Sequence, residues 1–335
     1  MIEPVLVANR GMERAAAFDP NAYSVRIYPE AKGNVFFHFD RTLRCGDVVT
    51  VPFEYNEYDW LGLPAVKGQI NGRSYPFIFD TGCNPYVIVE DRHVHENDMP
   101  VYFQDAANPN SSFGVAIADE FRVGSLVAEK LPCMLWKHHT EIRLLGLPVC
   151  RTRDVFIPLS HMKGFRYFEF DQIGERLRFS DRESFEPGDP SAWIGFDFVL
   201  EHGKLLLTIP VEGIEIVWFL DTGSSGTLDL NRQTAERIIE GRAETDKLRI
   251  RNGESFAPFA GGKSYEKCFA IQRLAFGEGI LTKAGISFIP DRDAYEGEDY
   301  QGTIGFGLFK KTVMVLDFER KRMWVKKAEG SRFGQ

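Results

Sequence analysis

The sequence predicts an all-β protein built as two similar halves, one after the other. Three observations predict it. Short apolar runs rich in Val, Ile, Phe and Tyr, cut by Gly, Asn, Asp and Pro turns, fill most of the chain. The triplet Asp-Thr-Gly occurs twice, at 80–82 and 221–223. The segments around the two triplets share four landmarks in the same order.

The first landmark is an apolar strand with a turn, Leu63 to Gly72 and Leu206 to Gly213. A second apolar strand follows and runs into each triplet, Pro76 to Gly82 and Val217 to Gly223. Further on, Phe121 to Val127 with Leu131 to Leu135 is echoed by Leu274 to Ile280 with Gly285 to Ile289. Each half closes with an apolar strand, an Asp, a charged turn and a last strand. These are Phe168 to Asp171 into Leu177 to Phe179, and Met314 to Asp317 into Met323 to Val325. The expected organisation is an N-terminal β extension (1–59), a first lobe (60–180), an acidic, Pro-containing linker (181–192), a second lobe (193–328) and a C-terminal tail (329–335). In the extension, Ser24 to Tyr28 and Asn34 to Phe39 alternate like strands. One helix interrupts the β pattern, Asn231 to Glu240, with Ala235, Ile238 and Ile239 at helical spacing and Gly241 at its end.

Composition narrows the function. The 335 residues are 44% apolar and 13% aromatic, enough to fill a core. The 48 acidic and 40 basic residues give a net charge of -8 and are scattered along the chain. Nucleic acid is therefore not an expected partner, because a phosphate-binding surface needs a basic patch. Five cysteines, odd in number and without a CxxC pair, indicate neither a disulfide framework nor a zinc knuckle and fit a reducing compartment best, with one or two bridges left open as the alternative. The start lacks a basic, apolar leader, and no run reaches the roughly 18 apolar residues of a membrane span. Localisation stays open between cytoplasmic by default and exported with the signal trimmed.

The two triplets carry the chemistry. Each follows a strand that must be buried, and a carboxylate at a buried strand end is costly unless something uses it. Asp80 and Asp221 supply the carboxylates; Gly82 and Gly223 let the backbone turn its N–H groups toward them. Thr81 and Thr222 have hydroxyls that can lock each loop to a backbone group of the opposite half. Two such loops across a pseudo-twofold axis would hold the carboxyls about 3 Å apart, where they share one proton. The ionised member then activates a water against a scissile carbonyl, and the protonated member stabilises the oxyanion. No metal or organic cofactor is needed.

At these residues the sequence resembles the aspartic peptidases, both retropepsin-like single-lobe domains and pepsin-like bilobal enzymes. The match is strongest at Phe77 to Gly82, Phe219 to Ser225 and Thr303 to Gly307. The resemblance implies a bilobal acid-protease fold of two retropepsin-like β-barrel lobes and an aspartic endopeptidase acting as a monomer. Its peptide or protein substrate would lie in an interlobe cleft under a flap. That flap would fall in Asn108 to Ala118, with Phe113 and Gly114 as substrate contacts. Cys83 stands where Ser224 follows the second triplet. The element bracing the Asp80 loop is either Leu144-Leu145-Gly146 or, counting back from Asp171, Phe156 to Leu159. An alternative function is a catalytically weak or inactive peptide-binding protein on the same fold. His93 and His95, on one strand face with His138 and His139 further on, read as a polar surface segment rather than a metal site, since no third ligand has metal spacing.

Overall fold

The computed structural model describes residues 43, 45–54, 63–83, 86–104, 113–136, 141–144, 147–151, 155–242, 248–257, 262–291 and 295–333. The strands expected at 24–28 and 34–39, and His138 and His139, lie outside the described residues. The protein is all-β. Among the described residues, twenty strands join in one continuous hydrogen-bonded network, and one two-stranded hairpin stands apart.

The first series of elements is β1 (Val49–Glu54), β2 (Ala65–Ile70), β3 (Arg73–Asp80), β4 (Val87–Glu90), α1 (Asp91–Glu96), β5 (Val101–Gln104), β6 (Phe113–Val123) and β7 (Leu126–Trp136). It continues through the separate hairpin β8 (Glu141–Leu144) and β9 (Leu147–Arg151), then β10 (Val155–Pro158), α2 (Leu159–Met162), β11 (Tyr167–Asp171) and β12 (Arg176–Ser180). The second series is β13 (Trp193–Glu201), β14 (Lys204–Val211), β15 (Ile214–Asp221), β16 (Leu228–Leu230), α3 (Arg232–Arg242), β17 (Arg251–Ala257), β18 (Gly262–Phe276), β19 (Gly279–Phe288), β20 (Gly302–Gly305), β21 (Val313–Asp317) and β22 (Arg322–Lys326).

The pairings repeat as well as the order. β2 with β3 and β14 with β15 are antiparallel hairpins. The strand ending in each Asp then takes a parallel neighbour, β10 beside β3 and β20 beside β15. In the same way β4 runs parallel to β7, and β16 to β19. The two series meet where β11 and β21 pair antiparallel, with Glu169 opposite Val315. Outward from that pair lie β12 and β22, then β1 and β13.

Alternation sets the core. In β15 the even residues Ile216, Trp218 and Leu220 are buried, so Val217, Phe219 and Asp221 share the other face. Trp218 keeps its indole N–H satisfied by donating to the Ile209 carbonyl at 3.1 Å. In the first series Phe79, Phe168 and Phe179 pack together, the last two stacked with centroids 4.8 Å apart. The closing Asp residues of the repeat hold turns. Asp171 accepts from the N–H groups of Ile173 and Gly174, and Asp317 from that of Arg320.

Several segments sit differently from the sequence reading. β1, assigned to the extension, pairs with β12 and with β2, Val49 opposite Phe179 and Phe53 opposite Val66. The segment read as a linker buries Phe185 between Tyr167 and Trp193. From the tail, Phe333 is buried and stacked on Phe309 at 5.8 Å. α3 starts where the pattern placed it, capped by Asn231, whose side chain accepts from the Thr234 N–H at 2.9 Å, but runs through Gly241. His93 and His95 lie on a helix instead of a strand, and His93 is fully buried: its Nδ1 accepts from the Glu90 N–H, and its ring packs edge-on to Tyr75.

Candidate active site

Asp80 and Asp221 are the last residues of β3 and β15. Each strand end turns back at once, so that the N–H of Gly82 donates to Asp80 Oδ1 at 2.7 Å and that of Gly223 to Asp221 Oδ1 at 2.9 Å. Between them the threonines cross over. Thr81 N–H donates to Thr222 Oγ1 at 2.9 Å, and Thr222 N–H to Thr81 Oγ1 at 3.0 Å. Each hydroxyl then donates onward, Thr81 to the Leu220 carbonyl and Thr222 to the Phe79 carbonyl, both at 2.6 Å. Both threonines are buried, so this closed ring of four bonds is shielded from water.

The ring brings each carboxyl onto the other loop. A Cβ added to Gly82 would sit 2.3 Å from Asp221 Oδ1, and one added to Gly223 would sit 2.3 Å from Asp80 Cγ. Only glycine leaves room for the opposing carboxylate. Each carboxyl thus lies against the other loop, and each acts on the protonation of the other. Burial raises the Asp80 pKa well above the usual carboxylate range, and the neighbouring charge of Asp221 pushes it further up. Burial also raises Asp221, against which the hydrogen bond from Asp80 and the N–H groups of Gly223 and Ser224 work. As whole residues, Asp80 and Asp221 are only partly buried.

The supports of the two loops correspond residue by residue. In the parallel ladders Pro158 lies opposite Asp80 and Gly305 opposite Asp221. The next residue in each case ties down the loop: Leu159 N–H donates to the Cys83 carbonyl at 3.2 Å, and Phe306 N–H to the Ser224 carbonyl at 2.7 Å. Of the two braces read from sequence, Phe156 to Leu159 is the one beside Asp80; Leu144 lies in the separate hairpin. The hydroxyl of Ser224 accepts from the Gly226 N–H at 3.2 Å, so it serves its own loop. Cys83, at the position that corresponds to Ser224, is half-buried against the core.

The six residues Asp80, Thr81, Gly82, Asp221, Thr222 and Gly223 are thus brought together, with Cys83 and Ser224 at their edge. Phe113 and Gly114 stand in β6, opposite Trp136 and Leu135 of β7, and Gly114 also faces Gln104 of β5. The rest of the expected flap, 108–112, lies outside the described residues. Among the described residues no group of three or more His, Cys, Asp or Glu is placed to hold a metal. No helix among them is long and apolar enough to cross a membrane.

Comparison with known proteins corrects one expectation. No protein-family model matches the chain, and no curated protein matches it. Among solved structures it is similar to basic 7S globulin from soybean, at 11% identity and a TM-score of 0.47, over 84% of this chain and 94% of that one. The assignment to the aspartic peptidases made from the sequence is overturned by these findings. It rested on the motifs at Phe77 to Gly82, Phe219 to Ser225 and Thr303 to Gly307 and on the internal repeat around them.

The sequence reading passed over Tyr300. Its ring packs on Phe219 at 5.3 Å, on the β15 face that carries Asp221, and on Tyr295 at 5.2 Å. Burial pushes its hydroxyl pKa up to about 12, with the charges of Glu298 and Asp221 adding to the shift. Nothing marks this tyrosine in the sequence, because it precedes β20 and reaches the site only through the β15–β20 ladder.

Proposed function

We propose that the protein is an aspartic-type endopeptidase, which hydrolyses peptide bonds with a water activated between Asp80 and Asp221. The observation that carries this reading is the closure of the two Asp loops on each other: each carboxyl is held by its own glycine N–H, lies against the glycine of the other loop, and is locked in place by the Thr81–Thr222 exchange. Two carboxyls so close share one proton. In the resting pair one carboxyl holds it and the other is ionised, in keeping with the upward shift that burial gives both.

The reaction then balances without a cofactor. The ionised Asp takes a proton from the water as its oxygen bonds to the carbonyl carbon, and the protonated Asp gives its proton to the carbonyl oxygen. The resulting gem-diol collapses: the C–N bond breaks, the leaving nitrogen takes the proton that came from the water, and the carboxylate that protonated the carbonyl recovers one from the diol.

The same reading takes the two strand series as lobes related by a pseudo-twofold axis passing between β11 and β21, with a peptide cleft where the Asp loops meet. What supports it is the repeated order of pairings and the one-to-one match of loop supports. A peptide-binding protein without turnover is the second reading. Its supporting observation is the asymmetry of the loops, Pro158 and Cys83 against Gly305 and Ser224.

The test is digestion of a mixed peptide library over acidic to neutral pH, with and without a statine-type inhibitor. Cleavage blocked by the inhibitor is expected. Peptide affinity with no cleavage by folded protein would establish the second reading instead.

A further inference from the structure

A small pocket, open to solvent, lies between the start of α2 and the β13–β14 hairpin. Leu159, Ser160 and Lys163 line one side, Leu200, Gly203 and Lys204 the other. Its position beside the dyad follows from two links. Leu159 is the residue after Pro158, which pairs with Asp80, and its N–H is bonded to the Asp80 loop at Cys83. On the far side, Lys204 Nζ lies 4.8 Å above the ring of Tyr300, which also packs on Phe219, two residues before Asp221. One wall therefore follows directly on the strand that braces Asp80, and the other belongs to the hairpin whose β14 pairs with β15, the strand that ends in Asp221. On the endopeptidase reading, a peptide with its scissile bond at the dyad would place a neighbouring residue toward this pocket.

The lining is basic at its polar edge and apolar below. Lys163 is exposed, and among the described residues no carboxylate pairs with its ammonium. Lys204 pairs with Glu298, but both side chains remain partly in water, 26% and 40% exposed. Such a pair is weak and yields to a competing carboxylate. The Ser160 hydroxyl lies 3.1 Å from Nδ1 of His161. Burial drives the His161 pKa down to about 4, with the Lys163 charge adding to the shift, so the ring is neutral and leaves the positive charge here to the two lysines. Leu159 and Leu200 offer surface for the methylenes of an acidic side chain.

We propose that this cavity is a specificity subsite, in which Lys163 and Lys204 select a peptide carboxylate next to the scissile bond. The inference rests on the endopeptidase reading, and it names an acidic peptide as the substrate class. Lysines act here as compact point charges, so either a Glu side chain or a C-terminal carboxylate satisfies them.

The test uses N-terminally labelled peptides with Glu, Gln or Lys placed in turn at each position, each made as the C-terminal acid and the amide. At one position on one side of the cleaved bond, Glu is expected to exceed Gln about fivefold in kcat/KM, carried by KM, the size two partly exposed charge pairs supply. In the double variant K163Q/K204Q the ratio should fall to about one. A preference seen only between acids and amides would identify the terminal carboxylate as the source. Equal rates for Glu and Gln everywhere, with acid and amide also equal, overturn the subsite and leave the dyad untouched. If the wild type cleaves nothing, the dyad reading fails on its own. Fluorescence anisotropy of the same peptides then decides the subsite: tighter binding of Glu than Gln, lost in K163Q/K204Q, supports it, and equal binding overturns it.

Discussion

Thr81 and Thr222, 141 residues apart in sequence, each donate a backbone N–H to the other's hydroxyl, at 2.9 and 3.0 Å. Replacing either by valine keeps the shape and removes an acceptor and a donor. Thr81→Val strands the buried Thr222 N–H and the Leu220 carbonyl; Thr222→Val strands the Thr81 N–H and the Phe79 carbonyl. Each change should cost about 2–4 kcal/mol by chemical denaturation, since a buried polar group left unpaired costs about 1–3 kcal/mol. The double variant should cost less than the two singles added, because both break one ring. Strict additivity would show that the ring does not act as a unit.

Gly82 and Gly223 are expected to tolerate no side chain. With the opposing carboxylate 2.3 Å from the added Cβ, Gly82→Ala must push Asp221 away. A displacement near 1 Å in reacting groups costs about a hundredfold in rate. Peptidase assays on folded Gly82→Ala protein should show a loss of at least that size in kcat/KM.

The supports predict a contrast between equivalent positions. A Cβ on Gly305 would meet the Gly226 carbonyl oxygen at 2.4 Å, so Gly305→Ala should distort the Asp221 loop and lower thermal stability by about 2 kcal/mol or more. Pro158 already carries a Cβ at the matching place beside Asp80. Pro158→Ala should change stability by less than about 1 kcal/mol. Equal effects of the two would mean that the loops are not equivalently braced.

A pH dependence follows from Asp229 on β16. Burial raises its pKa to about 6, opposed by hydrogen bonds from Tyr295, at 2.7 Å, and Ser287. An acid whose folded pKa exceeds its unfolded value binds its proton more tightly when folded. Its contribution is therefore complete below the unfolded value near 3.8 and is lost as pH rises through about 6. Over that window stability should fall by up to about 3 kcal/mol from this group, and Asp229→Asn should flatten the fall. Tyr295→Phe removes a donor to the charged form, so the Asp229 titration followed by carboxyl NMR should move upward. A downward move would contradict the assigned hydrogen bond.

Much of this was legible in the sequence for a physical reason. Strand alternation and the position of Asp at a buried strand end are local, so β3, β15 and their repeat could be read directly. The reach of the match was not. β1 joins β12 through pairing between residues such as Val49 and Phe179, which no local pattern announces. His93 looked like one member of an alternating strand pair, yet its imidazole accepts the Glu90 N–H and becomes part of a helix start. The brace of Asp80 was ambiguous because Pro158 replaces the expected glycine; only the register of β10 against β3 resolves it. Tyr300, Lys204 and Lys163 come from three separate segments and are neighbours only in the folded chain. The family assignment failed for a different reason: an internal repeat with short motifs at Asp80, Asp221 and Thr303 to Gly307 was given the weight of a family, and no family model matches the chain.

The central claim, that Asp80 and Asp221 act as one proton-sharing unit, is tested most directly by kcat/KM against pH for wild type, Asp80→Asn and Asp221→Asn on one cleaved peptide. The account predicts that each substitution lowers kcat/KM by about a thousandfold or more. It also predicts that the wild-type profile falls on its alkaline side as the shared proton is lost. Near-wild-type turnover by either folded variant would contradict it.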